Sequence, residues 1–116
     1  MPESAVQYAE PLLSVQVTAS GTARTVILAG ELDLSVREQV EAVAERLMAQ
    51  QPEMLILDLS GLSFIDSSGV EALLRIHRHA GARGVRLVIV RGPDHVHRVF
   101  SLCGLADTLP FTGRRA

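Results

Sequence analysis

The sequence predicts an α/β domain: one mixed sheet of four to five strands, an N-terminal hairpin followed by a βαβαβα order, with helices packed on it. Three observations predict it. Two neighbouring β-rich segments flank a Ser20-Gly21 turn, which is the pattern of a hairpin. Two later apolar runs alternate with segments whose apolar residues recur three and four apart, the signature of strands joined through helices. Finally, 116 residues with 47% apolar content suit one compact domain that buries its own core.

Taken in order, residues 1–11 hold Pro2 and Pro11 without sustained periodicity and read as a loosely held lead-in to a domain spanning 12–111. L-L-S-V-Q-V-T-A, Leu12 to Ala19, alternates as a half-buried strand does, and T-A-R-T-V-I-L-A-G carries the partner strand to Gly30. A first helix is predicted from Ser35, where Ser35 and Glu38 make a capping-box pattern, to about Ala49; Val36, Val40, Val43, Ala44 and Leu47 form its stripe. M-L-I-L-D-L, Met54 to Leu59, is the nearly continuous apolar run of a strand covered on both faces.

A second helix is predicted from Ser68 to about Ala80 on the spacing of Val70, Leu73, Leu74 and His77, with Gly81 and Gly84 ending it. V-R-L-V-I-V, Val85 to Val90, is the next strand. Gly92-Pro93 opens a third helix with Val96, Val99, Phe100 and Cys103 on its apolar side and Gly104 at its end. Thr108 to Phe111 reads as a last short strand, and residues 112–116 as a tail. In such sheets functional groups collect where strands hand over to helix N-termini, which singles out the loops Gly30 to Ser35 and Ser63 to Gly69.

Composition narrows the function. Eleven basic against thirteen acidic residues leave a net charge of −2, and the single Tyr, three Phe and absent Trp offer no stacking platform, so direct nucleic-acid binding is not expected. The sole cysteine, Cys103, forms no metal or redox motif and reads as a small buried hydrophobe. Neither a leader-like apolar segment nor a run long enough to cross a bilayer occurs, so a cytoplasmic location without membrane contact is expected.

The chemistry concentrates in F-I-D-S-S-G-V-E-A-L-L, Phe64 to Leu74, where Asp66, Ser67, Ser68 and Gly69 separate two apolar runs. A serine nucleophile needs a base within hydrogen-bond reach, yet His77 lies ten residues along a helix, about 15 Å from Ser67, and the G-x-S-x-G frame is absent. A serine hydrolase would need help from His95 through the tertiary fold. His77 and His79, like His95 and His97, are two apart and diverge on a helix, so they do not share a metal. Neither phosphate-loop pattern occurs, and no cofactor is expected. Ser68-Gly69-Val70-Glu71 fits a capping box, which explains Ser68 but leaves Ser67 without a structural task beside the anion-attracting start of a helix.

The pattern L-S-F-I-D-S-S-G-V (Leu62 to Val70), A-G-E-L-D (Ala29 to Asp33) and S-L-C-G-L (Ser101 to Leu105) resembles bacterial anti-sigma factor antagonists of the STAS domain type over about residues 12–111. The resemblance implies a binding protein rather than an enzyme. Unmodified, such a domain binds an anti-sigma factor that is also a serine kinase and so frees a sigma factor; phosphorylation ends that binding, and a metal-dependent Ser/Thr phosphatase restores it. The implied acceptor is Ser67, and the implied partner-binding set is Asp66, Ser67, Ser68, Gly69, Glu31, Asp33 and Glu71. Two departures stand out: Glu71 where many members carry a small residue, and a chain that stops at Ala116, so that the closing helix of many members is short or missing. The alternative within the same family is a binding module that is never phosphorylated, serving a transport complex or a nucleotide-responsive sensor.

Overall fold

A computed structural model of the chain describes residues 6–9 and 12–112. Six strands make one sheet in the spatial order of the chain: β1 (Val6–Ala9), β2 (Leu13–Ser20), β3 (Ala23–Leu32), β4 (Met54–Ile65), β5 (Arg86–Val90) and β6 (Phe111–Thr112). The first three pair antiparallel and the rest parallel. Three helices, α1 (Arg37–Met48), α2 (Ser67–Arg83) and α3 (Asp94–Leu102), make the parallel crossovers. The predicted hairpin and the threefold alternation of helix with strand are therefore present.

Because β3, β4, β5 and β6 step across the sheet in one direction, right-handed crossovers lay all three helices on the same face. Burial follows this one-sided layering. In β2, Leu13, Val15, Val17 and Ala19 are buried while the residues between them are half-exposed. The helices meet that face with Val40, Val43, Ala44, Leu47 and Met48 from α1, Val70, Leu73, Ile76 and Ala80 from α2, and Val96 and Phe100 from α3. The stripe expected for α1 is thus the one buried; in α2 Val70 and Leu73 are buried as expected, but Leu74 and His77 are half-exposed, and Ile76 and Ala80 complete the buried face instead.

Several expectations need correction. β4 is not covered on both faces: Leu55 and Leu57 are buried, but Met54 and Ile56 are half-exposed, because the second face carries no helix among the described residues. A strand, β1, lies inside the stretch for which the sequence predicts no element; the free edge of β2 supplies backbone partners that periodicity does not register. Ser35 does not cap α1. Its amide and hydroxyl both donate to Asp33 Oδ1 (3.0 and 2.7 Å), an Asx turn that outcompetes the capping box and delays the helix to Arg37. Cys103 is exposed rather than buried, since α3 ends at Leu102 and the turn through Gly104 lifts it off the stripe. Residues 105–109 form a turn, with Thr108 and Leu109 amides donating to Leu105 O, so the last strand comes later than expected, at Phe111–Thr112.

The far end of α3 holds an aromatic cluster in which His97 lies edge-on to Phe111 (centroids 4.7 Å apart) and Phe111 packs on Phe100 (5.0 Å). Burial, and then the Arg91 guanidinium, hold the His97 pKa below its ordinary value, partly offset by Asp94. The unfolded chain therefore takes up this proton more readily than the native one. His97 costs no stability well above pH 6.5, its ordinary value, and an increasing amount as pH falls below it. Urea unfolding at pH 7.5 and pH 5.5 is expected to show a larger acid loss of stability in the natural chain than in His97→Leu.

Candidate functional site

Both motif-bearing segments are more ordered than the sequence suggests. β3 and β4 stay paired through Gly30↔Leu62, Glu31↔Phe64 and Leu32↔Ile65, after register shifts between Ile27 and Ala29 and between Gly30 and Glu31. At the first irregularity Asp58 Oδ1 accepts from the Ser60 amide and hydroxyl (2.9 and 2.7 Å). The expected loops Gly30 to Ser35 and Ser63 to Gly69 shrink accordingly to residues 33–36 and to Asp66.

Asp66 is the hinge of the site. Its amide donates to Leu32 O (3.3 Å), which ties the end of β4 to the end of β3. Its extended backbone (φ −113°, ψ −175°) turns the carboxylate back onto the helix it precedes, where it accepts from the Gly69 amide at 3.1 Å. Asp66 is thus the N-cap of α2, not Ser68. The expected Ser68–Glu71 capping box does not form: the helix starts one residue earlier, at Ser67, and the Glu71 carboxylate is drawn sideways to Arg37 and Arg75. Asp66→Ala is expected to cost about 1 kcal/mol, the usual worth of such a cap, and Asp66→Asn much less because the acceptor survives. Thermal denaturation of the two variants checks this.

Gly69 explains how α2 comes so close to the sheet. It is buried, and a Cβ there would lie 2.7 Å from Ile65 Cγ1 and 2.9 Å from Leu32 O. The first turn of α2 therefore rests directly on the ends of β3 and β4. Ser67, the first residue of that turn, faces outward and is exposed; Ser68 is half-buried. The amides of Ser67 and Ser68 precede the intrahelical ladder, so a partial positive charge surrounds the Ser67 hydroxyl.

The remaining candidates divide by what holds them. Asp33 is half-buried and engaged with Ser35; Glu31, also half-buried, sits beside Phe64 across the strand pair and donates its amide to Leu12 O (2.7 Å). Both belong to the end of β3 and the turn beyond it, against which the start of α2 is seated. Glu71 lies one turn along α2 and joins an ion-pair group with Arg37, Glu41 and Arg75. His95 turns its Nε2 to Ser63 O (2.7 Å), so its ring is engaged with the β4 backbone. Among the described residues no three His, Cys, Asp or Glu side chains gather as a metal site, and no helix is long and apolar enough to cross a membrane.

Sequence reasoning missed two features. Leu34 (66% exposed) and Phe64 (45% exposed) present apolar surface, one in the turn after β3 and the other near the end of β4. A leucine and a phenylalanine set off the buried alternation were the only signal. Arg37 was missed as well; its i,i+4 relation to Glu41 was visible, but its reach to Glu71 belongs to the packing of α1 on α2.

The model of the STAS domain matches residues 14–114. The anti-sigma F factor antagonist of Paenibacillus polymyxa is 30% identical, over 73% of this chain and 74% of its own. Among solved structures, the anti-sigma factor antagonist SpoIIAA in its unphosphorylated form superposes with a TM-score of 0.73 at 28% identity, over 84% of this chain and 85% of its own. The phosphorylated form of Bacillus SpoIIAA gives 0.67 at 27% identity, over 84% and 88%. An anti-sigma factor antagonist from Mycobacterium paratuberculosis shares the fold, with a TM-score of 0.80 at 23% identity over 91% of each chain. With the family model spanning both motif-bearing strand ends and all three helices, the chain belongs to the STAS domain family.

Proposed function

We propose that the chain is an anti-sigma factor antagonist that works in the cytoplasm by switching partners. Unmodified, the face around Ser67 binds an anti-sigma factor that is also a serine kinase, and a sigma factor is released. Phosphorylation of Ser67 ends the complex, and a Ser/Thr phosphatase regenerates the binding form. The observation that carries this reading is the exposed Ser67 hydroxyl at the first position of α2, beyond the Asp66 cap, in a chain similar to anti-sigma factor antagonists. Leu34 and Phe64 supply apolar contact beside it, while Glu31, Asp33, Asp66, Ser68 and Glu71 supply polar contact; Gly69 lets the whole helix start sit low enough to be reached.

In the kinase complex the Ser67 oxygen attacks the γ-phosphorus of ATP. The new O–P bond forms as the bond to ADP breaks, and the hydroxyl proton passes to a base on the kinase. The added group brings about −1.5 to −2 charge and three acceptor oxygens. On the free domain the start of α2 welcomes that charge, by about 0.3–1 kcal/mol, so the fold persists. Within the complex the same charge, pressed among carboxylates and stripped of water, opposes binding by several kcal/mol.

Mass spectrometry after incubation with the cognate anti-sigma kinase and ATP tests the reading. One phosphoryl group on Ser67, and none on Ser67→Ala, is the expected result. A stable complex that leaves Ser67 unmodified would instead favour a binding module that is never phosphorylated.

A further inference from the structure

Ser67 and Glu71 stand four residues apart in α2, which stacks their side chains on one face with Cβ atoms about 5–6 Å apart. Helical Cα–Cβ bonds tilt toward the N-terminus, so that of Glu71 tilts toward the turn that carries Ser67, while its carboxylate is drawn to Arg37 and Arg75. Arg37, the first residue of α1, meets the Glu71 carboxylate. Its Nη1 donates to Glu71 Oε1, and its Nε lies 3.6 Å from Glu41 Oε2. Arg75 closes the group from the other side, 3.9 Å from Glu71 Oε2 and 4.0 Å from Glu41 Oε1. Two guanidinium groups thus meet two carboxylates. The Arg37 side chain is 19% exposed, held between the helices against Glu71.

We propose that Arg37 is the internal counter-ion of phosphorylated Ser67, exchanging the Glu71 carboxylate for the phosphoryl oxygens when the serine is modified. The proposal rests on Ser67 being the modified residue. A phosphoryl group offers a guanidinium more charge and more acceptors than a carboxylate does, in a geometry that suits two parallel N–H bonds. The distance to cover is about one helical turn, roughly 5.4 Å. To cover it the whole Arg37 side chain changes rotamer, giving up its contacts to Glu71 and to Glu41.

Two consequences follow for the switch. Before modification, Glu71 keeps the guanidinium off Ser67 and leaves the hydroxyl open to a kinase. After it, Glu71 retains only the longer contact to Arg75, so its carboxylate is less fully compensated. One phosphorylation then changes two charges seen by the partner. A glycine or alanine at residue 71 would leave the modified face with the phosphoryl charge alone.

The test uses the full chain with phosphoserine installed at residue 67 by genetic encoding, read by ³¹P NMR titration. The second ionisation of the phosphoserine is expected about one pH unit lower in the natural background than in Arg37→Gln, the shift an opposite charge produces within about 4–6 Å. Arg37→Lys is expected to fall between them and serves as the comparison should Arg37→Gln fold poorly. Glu71→Gln, which removes the competitor, is expected to titrate lower than the natural background. Coincident titration curves for the natural chain and the Arg37 variants would overturn the pairing. Since no kinase is involved, that result is independent of whether one modifies Ser67: a failed kinase reaction would sink the proposed function and leave the ion exchange standing.

Discussion

Ser67→Glu is expected to weaken binding to the anti-sigma kinase by about a hundredfold or more, while Ser67→Ala binds as tightly as the unmodified protein and cannot be switched off. Residue 67 stands at the exposed start of α2, with the Asp66 carboxylate at its shoulder and the turn of Asp33 nearby. A partner that docks on the start of α2 strips water from residue 67. A carboxylate placed there loses hydration and meets like charge, and about 2.8 kcal/mol of such opposition is a hundredfold in affinity. Calorimetric titration of both variants against the kinase measures it. Equal affinities would remove the interface switch, and Ser67→Glu should melt no lower than the natural protein, because a negative charge suits a helix start.

Gly30→Ala is expected to cost about 3–5 kcal/mol of stability, adding backbone strain to a steric clash. Gly30 holds φ at +109°, a region closed to residues with a Cβ, and a Cβ built there would lie 2.1 Å from Leu12 O and 3.0 Å from its carbonyl carbon. Leu12 is fixed in turn by the Glu31 amide at 2.7 Å and by the pairing of Leu13 with Gly30. Neither strand can yield without breaking the ladder that orders the β3 end of the site. At about 4 °C per kcal/mol for a chain of this size, the thermal midpoint should fall by roughly 12–20 °C. A midpoint within 4 °C of the natural chain would mean that the strand pair relaxes around the methyl group.

The parts of the fold that follow from one-dimensional pattern were legible. The β2–β3 hairpin, the stripe of α1 and the alternation of helices with parallel strands rest on hydrophobic periodicity, and the position of Ser67 rests on a local motif; the stripe of α2 was half legible, with Val70 and Leu73 buried but Leu74 and His77 not. Competition between side chains for one backbone group was not legible. Asp33 outcompetes the Ser35 cap, and Asp66 makes the Ser68–Glu71 box redundant, although both boxes scan correctly. The strand is expected over Met54 to Leu59 only, yet an Asp58–Ser60 turn absorbs the irregularity and β4 continues to Ile65. Which face of β4 lacks cover, and which carboxylate Arg37 reaches, depend on how separate elements pack, so no local window contains them.

The seating of Gly69 against Leu32 and Ile65 leaves the start of α2 no slack. On the proposed function, the modified and unmodified forms then offer a partner nearly the same backbone contour, and discrimination between them is a matter of potential rather than of backbone shape. Potentials near a surface are shielded by dissolved ions, within about 8–10 Å at ordinary ionic strength. The contrast in affinity between the two forms should therefore narrow as salt is added, which makes the ionic medium itself a dial on the fidelity of this relay.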